Sequence, residues 1–325
     1  VIGIDILLAA FAGVLFAVFL LALAEIVARY THLSSGWALA VVLLLGTAIL
    51  GIGGTWLAPQ VAAQIDEAGN QLPQMLADGE AFLGRYAWGE WILGRAQDGG
   101  MADGMGAALG PFVSGTMYSL TILVTIFFVG LFGAANPQLY RDGIVRLFPL
   151  RHRPLAGEIV ADVGYALRWW LIGRAVAMLM VGVTTFVVLM LFGVRFALLL
   201  GILAGLLTFV PYLGPIAAAV PIVLVSLLEG PQQALWVFLG YTAIQQVEGN
   251  VLDPYIMHRL VYIPPVTTIV MQVLMGVVVG VMGIVMATPL AAVLVVLNRF
   301  YRRDVLGDSE AEPVGAGDNP FKRGR

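Results

Sequence analysis

The chain has 325 residues, 60% of them hydrophobic and 11% charged, with a net charge of −3 and a mean hydropathy of +0.93. Soluble domains carry about 25% charged residues, so this composition excludes an ordinary soluble fold and indicates an integral membrane protein. With no cysteine, and Lys322 as the one lysine beside sixteen arginines, it also excludes a disulfide framework, a thiolate metal site and a nucleic-acid footprint.

A helix crossing the hydrocarbon core needs about 20 apolar residues. Residues 4–28 and 36–58 supply the first two crossings, with Arg29 and His32 in the polar turn between them. The composition then changes: in 59–110 seven acids face only Arg85 and Arg95. Apolar residues such as Val61, Ile65, Leu72 and Leu76 recur there at helical spacing, which predicts amphipathic helices outside the bilayer. The glycine-rich "DGGMADGMGAALG" reads as a loop or hinge.

A third crossing spans 112–135, within a segment 111–138 that closes on "NPQ". Residues 139–174 form a basic zone, in which Arg141, Arg146, Arg151, Arg153, Arg168 and Arg174 face Asp142, Glu158 and Asp162. Its "EIVADVGYALRWWLIGR" is amphipathic, and Trp169 and Trp170 suit a membrane interface. Residues 175–300 are almost wholly apolar and predict four crossings: 175–192, 196–228 broken at "VPYLGP", 231–247, and 266–297 softened by glycines and Pro289. The second and fourth of these are longer than one crossing needs, so each is either a broken helix or a re-entrant hairpin. The expected fold is therefore an all-α polytopic membrane protein with seven crossings in this chain, an extramembrane amphipathic segment, and a disordered tail over 301–325.

Cytoplasmic loops are enriched in Lys and Arg. The basic zone and the cluster Arg299, Arg302 and Arg303 are thus expected on the cytoplasmic side, with four crossings between them, an even number. The acidic 59–110 segment is then external, and the first helix enters from outside. A cytoplasmic N-terminus calls for one more helix upstream of Val1, making eight.

Between residues 175 and 298 only six side chains are charged or imidazole: Glu229, Glu248, Asp253, Arg195, Arg259 and His258. Glu229 and Arg195 sit in turns and read as loop charges. The other four fall within twelve residues, in "QQVEGNVLDPYIMHRLVYIPP". A charge at the bilayer centre costs about 2.5–3.5 kcal/mol on insertion scales, so it pairs, faces water or neutralises. Gln245 and Glu248 share a helical face, while Gly249 and Pro254 argue against a clean continuation of that helix. Carbonyls freed by such a break bind a cation or polar solute. Amide side chains such as Gln245 and Asn250 suit a hydroxylated ligand. The competing reading is an ordinary surface loop, with Asp253 as a turn residue and with His258 and Arg259 as interfacial anchors. The prolines Pro211, Pro215 and Pro221 of "FVPYLGPIAAAVP" mark either a broken transporter helix or a tight loop. Gly276 and Gly280 have GxxxG spacing and read as helix packing.

No catalytic residue, metal-ligand set or cofactor is expected. There is no thiol nucleophile, no HExxH, no phosphate-binding GxxxxGK[ST], and the three histidines are far apart.

Four spaced stretches occur in one order: "WWLIGR", "LFGVRFALLLGILAGLLTFVPYLGPIAAAVP", "QQVEGNVLDPYIMHRLVYIPP" and "GVVVGVMGIVMATPLAAVL". On these the chain resembles the autoinducer-2 exporter family, whose members are also described as PerM-type permeases. The resemblance implies an eight-helix protein of the bacterial cytoplasmic membrane with an extramembrane segment between the third and fourth helices. It implies export of small polar signalling molecules, or sodium/proton antiport, by a homo-oligomer, a pentamer by analogy. The family's polar positions fall on Gln245, Glu248, Asn250 and Pro254, with Pro211 and Gly214 in the broken helix; His258 stands where the family pattern expects glycine. The expected partners are therefore membrane lipid, a small polar solute or cation, and further copies of the chain. The expected activity is secondary transport, with cation/proton antiport, a scaffold using the acidic segment, and a passive channel as its rivals.

Overall fold

A computed structural model of the chain describes residues 2–84, 116–252, 264–304 and 306–307. Every regular element among them is helical. The chain divides into two compact units, one of residues 1–48, 122–176 and 251–325, the other of 49–121 and 177–250.

In the first unit, α1 (Ile2–Thr31) and α3 (Thr116–Ala135) are apolar along most of their length, as helices in lipid are, with Asp5, Glu25 and Arg29 toward the ends of α1. They approach closely because glycines stand at the crossing. A Cβ on Gly13 would lie 2.6 Å from the Val129 side chain, and one on Gly130 would strike Phe16. Ala17, Leu20, Ala24 and Ala134, with Ala38, Leu39 and Val42 from the start of α2 (Ser35–Leu83), form the buried cluster there. At Asn136 the chain turns through 92° into α4 (Pro137–Arg146), with Pro137 in the first helical turn.

A short 3₁₀ turn, Leu150–His152, leads into α5 (Arg153–Leu191). This helix is continuous, so the amphipathic zone and the crossing that follows it share one rod of about 58 Å. Its first part buries Tyr165 and Ala166 against Val296 and Phe300 of α10 (Val281–Asp304). Arg168 pairs with Glu25 of α1, and Arg303 with Glu158 at 3.5 Å.

The span 266–297 is a helical hairpin. α9 (Pro265–Val279) and α10 reverse at Gly280, whose φ is 75°. A Cβ on Gly276 would lie 2.9 Å from Ile284, and one on Gly283 would overlap the Met275 carbonyl. Positions eight residues apart in an unbroken helix are separated by about 12 Å, so these contacts require the chain to fold back.

The second unit contains the other hairpin. α6 (Ala197–Leu207) and α7 (Leu213–Leu228) reverse over residues 208–212, and a Cβ on Gly214 would overlap the Leu207 carbonyl. Gly182 of α5 lies against Gly201 and Gly205 of α6 with backbone-to-backbone closeness. Val181, Leu189, Leu200, Ala204, Ile222 and Val237 form the core, with Val237 contributed by α8 (Pro231–Val247).

α2 runs for 49 residues through Pro59, so the acidic segment begins as a direct extension of the second crossing. A proline removes one helical hydrogen bond without having to end the helix. Farther along, Gln64 Oε1 accepts the Leu199 N–H at 3.0 Å, capping the first turn of α6.

Among the described residues, four helices (α1, α2, α5 and α10) are by length and composition fit to cross a membrane, five when the bent pair α3–α4 is counted. Among the described residues the expectation of an all-helical multi-pass membrane protein is met; the seven expected crossings are not confirmed. α6, α7 and α9 are apolar but have 11, 16 and 15 residues, fewer than the ~20 a crossing helix needs.

Candidate functional site

The second unit assembles its polar groups around the α6–α7 hairpin. At the hairpin's mouth Glu229 accepts the Arg195 N–H at 3.1 Å, with the Arg195 Nε at 3.8 Å. Gln233 donates to the Phe192 carbonyl at 2.8 Å and to Glu229. The end of α5, both ends of the hairpin and the start of α8 therefore meet at one point. Glu229 and Arg195, expected as separate loop charges, form the clasp.

The hairpin leaves that point and returns to it. α6 is about 16 Å long, about half the thickness of a hydrocarbon core of about 30 Å. Irregular backbone inside such a core must be enclosed by protein or water. The tip satisfies much of itself: Val210 N–H bonds the Leu207 carbonyl at 3.0 Å, Gly214 N–H the Val210 carbonyl at 3.0 Å, and Leu213 N–H the Pro211 carbonyl at 2.7 Å. The last bond spans Tyr212 alone, whose φ of 64° and ψ of −58° make a γ-turn of the strained hand. Pro211 and Gly214 are buried and Pro215 half-buried.

α8 runs past this tip. Tyr241, about 15 Å from the helix start, donates its hydroxyl to the Pro215 carbonyl at 3.1 Å. Gln245 and Glu248 follow at i+4 and i+7, on the same face. Gln245 Nε2 is buried and donates no hydrogen bond of ordinary geometry. Glu248 is 6% exposed. At Glu248 the α-helix widens into a π-helical turn, Glu248–Leu252, a departure frequently found at functional sites.

Asn250 points elsewhere. It is exposed and donates to Gln246, at 3.0 Å to the carbonyl and 2.7 Å to Oε1. Gln245 and Glu248 thus share the Tyr241 face of the helix, and Asn250 pairs with Gln246 away from it. Asp253, Pro254, His258 and Arg259 lie outside the described residues.

The sequence reading overlooked Tyr241. The signal was available: extending the Gln245–Glu248 stripe back by one turn lands on it. Also overlooked were the interior polar groups of the first unit. Asp162 and Arg174 are buried on α5, and Thr268, Gln272 and Thr288 are buried in the α9–α10 hairpin. Among the described residues no three His, Asp or Glu side chains converge as a metal-ligand set.

Long apolar helices, hairpins with arms shorter than a crossing needs, and a buried carboxylate at a π-helical turn define a multi-pass helical membrane protein with the build of a transporter. The family described as AI-2E family transporter matches residues 4–303, and the chain belongs to that family. It is 24% identical over 277 residues to "Putative transport protein YueF" of Bacillus subtilis, covering 79% of this chain and 74% of that one. Over 174 residues it is 30% identical to "AI-2 transport protein TqsA" of Escherichia coli, covering 53% of this chain and 49% of the relative. "Putative permease PerM" of Escherichia coli is 25% identical over 190 residues, 58% of this chain and 52% of its own.

Proposed function

We propose that the chain is a secondary transporter of the bacterial cytoplasmic membrane that exports a small hydrophilic solute, of the class to which the autoinducer-2 signal belongs. The observation that carries this reading is the polar stripe Tyr241–Gln245–Glu248, anchored beside the α6–α7 tip by the Tyr241 hydroxyl on the Pro215 carbonyl. It supplies hydroxyl, amide and carboxylate groups at a depth where apolar side chains are otherwise the rule. A hydroxylated solute exchanges hydrogen bonds with these groups, and Glu248 couples its passage to a proton or to ligand binding.

The seven apolar passages are then α1, α2, α3, α5, the α6–α7 hairpin, α8 and the α9–α10 hairpin. The arginines of α4 and of the α10 end face the cytoplasm. The name of TqsA supports the solute class; the shared length with that relative is about half its chain. Family resemblance supports a homo-oligomer, with a pentamer as the expected form.

Transport in proteoliposomes, with and without a proton gradient and across a panel of small polar solutes, tests the reading. Glu248→Gln is expected to abolish gradient-dependent transport while the protein stays folded and monodisperse. Unchanged transport by the variant removes Glu248 from the mechanism.

Cation/proton antiport is the second reading, favoured by the burial of the Glu248 carboxylate at the π-helical turn that follows α8. Sodium added to vesicles loaded with a pH-sensitive dye separates the two, since an exporter of neutral solutes gives no dequenching at any pH. Saturable counterflow argues against a passive channel. Failure of the 59–110 segment to recover any partner argues against a scaffold.

A further inference from the structure

The elbow between α3 and α5 carries a function that transport does not absorb. α4 leaves the crossing helix α3 at 92° and buries none of its residues. On a helical wheel at 100° per residue, Leu139, Tyr140, Gly143, Ile144 and the following Leu147 cover an arc of about 140°. The remaining polar side chains lie outside this arc, and Arg141 and Arg146 border it on its two sides. The apolar side chains are open: Leu139 is 68% exposed, Leu147 83% and Leu150 76%.

An amphipathic helix held perpendicular to a crossing helix lies in the plane of the membrane, its apolar arc sunk to the level of the headgroups. The flanking guanidiniums then stand at phosphate level, where their fork geometry matches a phosphodiester. Arg151 follows in the exposed 3₁₀ turn. Arg153 is committed to the fold instead. Its Nε donates to the Phe148 carbonyl at 3.2 Å and its guanidinium to the Arg146 carbonyl at 3.5 Å, holding the α4–α5 corner in shape. Asp142 is the single acid in residues 137–153.

We propose that this elbow is a binding site for anionic phospholipid, with Arg141, Arg146 and Arg151 along its rim holding headgroup phosphates and Leu139, Ile144 and Leu147 seated among the acyl chains. Charge complementarity selects an anionic lipid over a zwitterionic one, because three arginines with one nearby acid leave a net positive rim at the interface. The site fixes α4 in the headgroup plane and sets the level at which α3 and α5 enter the bilayer.

The test uses the full chain purified in neutral detergent, titrated with phosphatidylglycerol, phosphatidylcholine or inorganic phosphate, and read by thermal unfolding and native mass spectrometry. Phosphatidylglycerol is expected to raise Tm and to remain bound, with a much smaller effect of phosphatidylcholine and a loss of the effect at high salt. The triple variant Arg141→Gln/Arg146→Gln/Arg151→Gln is expected to need roughly tenfold more phosphatidylglycerol, or beyond, for the same shift, with an unchanged Tm in detergent alone. A variant that is unstable in detergent alone is replaced by the single changes, each expected to weaken the same titration by a few-fold. Equal shifts from the two lipids, no shift from phosphatidylglycerol, or an undiminished shift in the variants overturns the proposal. An equal response to inorganic phosphate also overturns it, since the acyl chains would then contribute nothing.

Discussion

The Tyr241 hydroxyl donates to the carbonyl of Pro215 at 3.1 Å, joining α8 to the first turn of α7 just beyond the hairpin tip. Between residues 26 apart in sequence, this bond fixes how far the α6–α7 hairpin inserts alongside α8. Tyr241→Phe removes the donor and keeps the ring. A neutral hydrogen bond contributes about 1 kcal/mol net, and a buried acceptor left without it costs up to about 3 kcal/mol. The variant is expected to unfold at lower temperature in detergent and to transport more slowly. A Tm equal to that of the wild type shows that the hairpin is held by packing alone.

Gly214 and Gly283 occupy equivalent places in the two hairpins, each against a carbonyl of the preceding helix, Leu207 or Met275. Backbone cannot move aside as a flexible side chain can. Gly214→Ala and Gly283→Ala are each expected to push their hairpins apart, lowering the yield of monodisperse protein and the Tm. Gly36→Ala, where nothing lies within 4 Å, serves as the neutral control. Size-exclusion chromatography of the three variants side by side checks this, and indistinguishable profiles count against the hairpins.

Tyr212 holds the tip with a φ of 64°. Glycine enters this region without a Cβ penalty, whereas other residues are strained there by about 1–3 kcal/mol. Since the tyrosine side chain also has contacts, the informative comparison is Tyr212→Gly against Tyr212→Ala, which lose it equally. The glycine variant is expected to be the more stable by about 1 kcal/mol, read from paired denaturation curves. Alanine equal to or better than glycine shows that the turn relaxes.

Much of this architecture can be read from the residues, and the limits have physical causes. Apolar runs mark the buried or lipid-facing helices, and the prolines at 211 and 215 mark one interruption; Gly280, which reads in the sequence as a packing residue, forms the reversal of the other run, while Pro289 lies inside α10. Whether an interrupted run continues or reverses depends on contacts such as Gly276 with Ile284, which composition does not encode. α2 passes through Pro59 because the helix tolerates one missing bond, so the change from apolar to acidic residues is a boundary of environment and not of structure. Gln245 and Glu248 stand out as polar residues in an apolar setting. Tyr241 does not, because its ring belongs in a core and only its hydroxyl carries the polar function. Asp162 and Arg174 are hidden in the same way by a zone whose other charges are plausible surface residues, although both are buried.

The pair Arg168–Glu25 decides whether such interior charges hold the first unit together. It links α5 to α1, with side-chain exposures of 14% and 36%. Removing one partner of a partly desolvated pair leaves the other charge uncompensated, which costs more than removing both. Glu25→Gln and Arg168→Gln are each expected to lower stability, and the double variant to lower it by less than their sum. The coupling in a double-mutant cycle is expected at about 1–3 kcal/mol, since residues in direct contact do not behave additively. Strict additivity in the four denaturation curves shows instead that water screens the pair, and that Tyr165, Ala166, Val296 and Phe300 hold α5 in place by apolar packing.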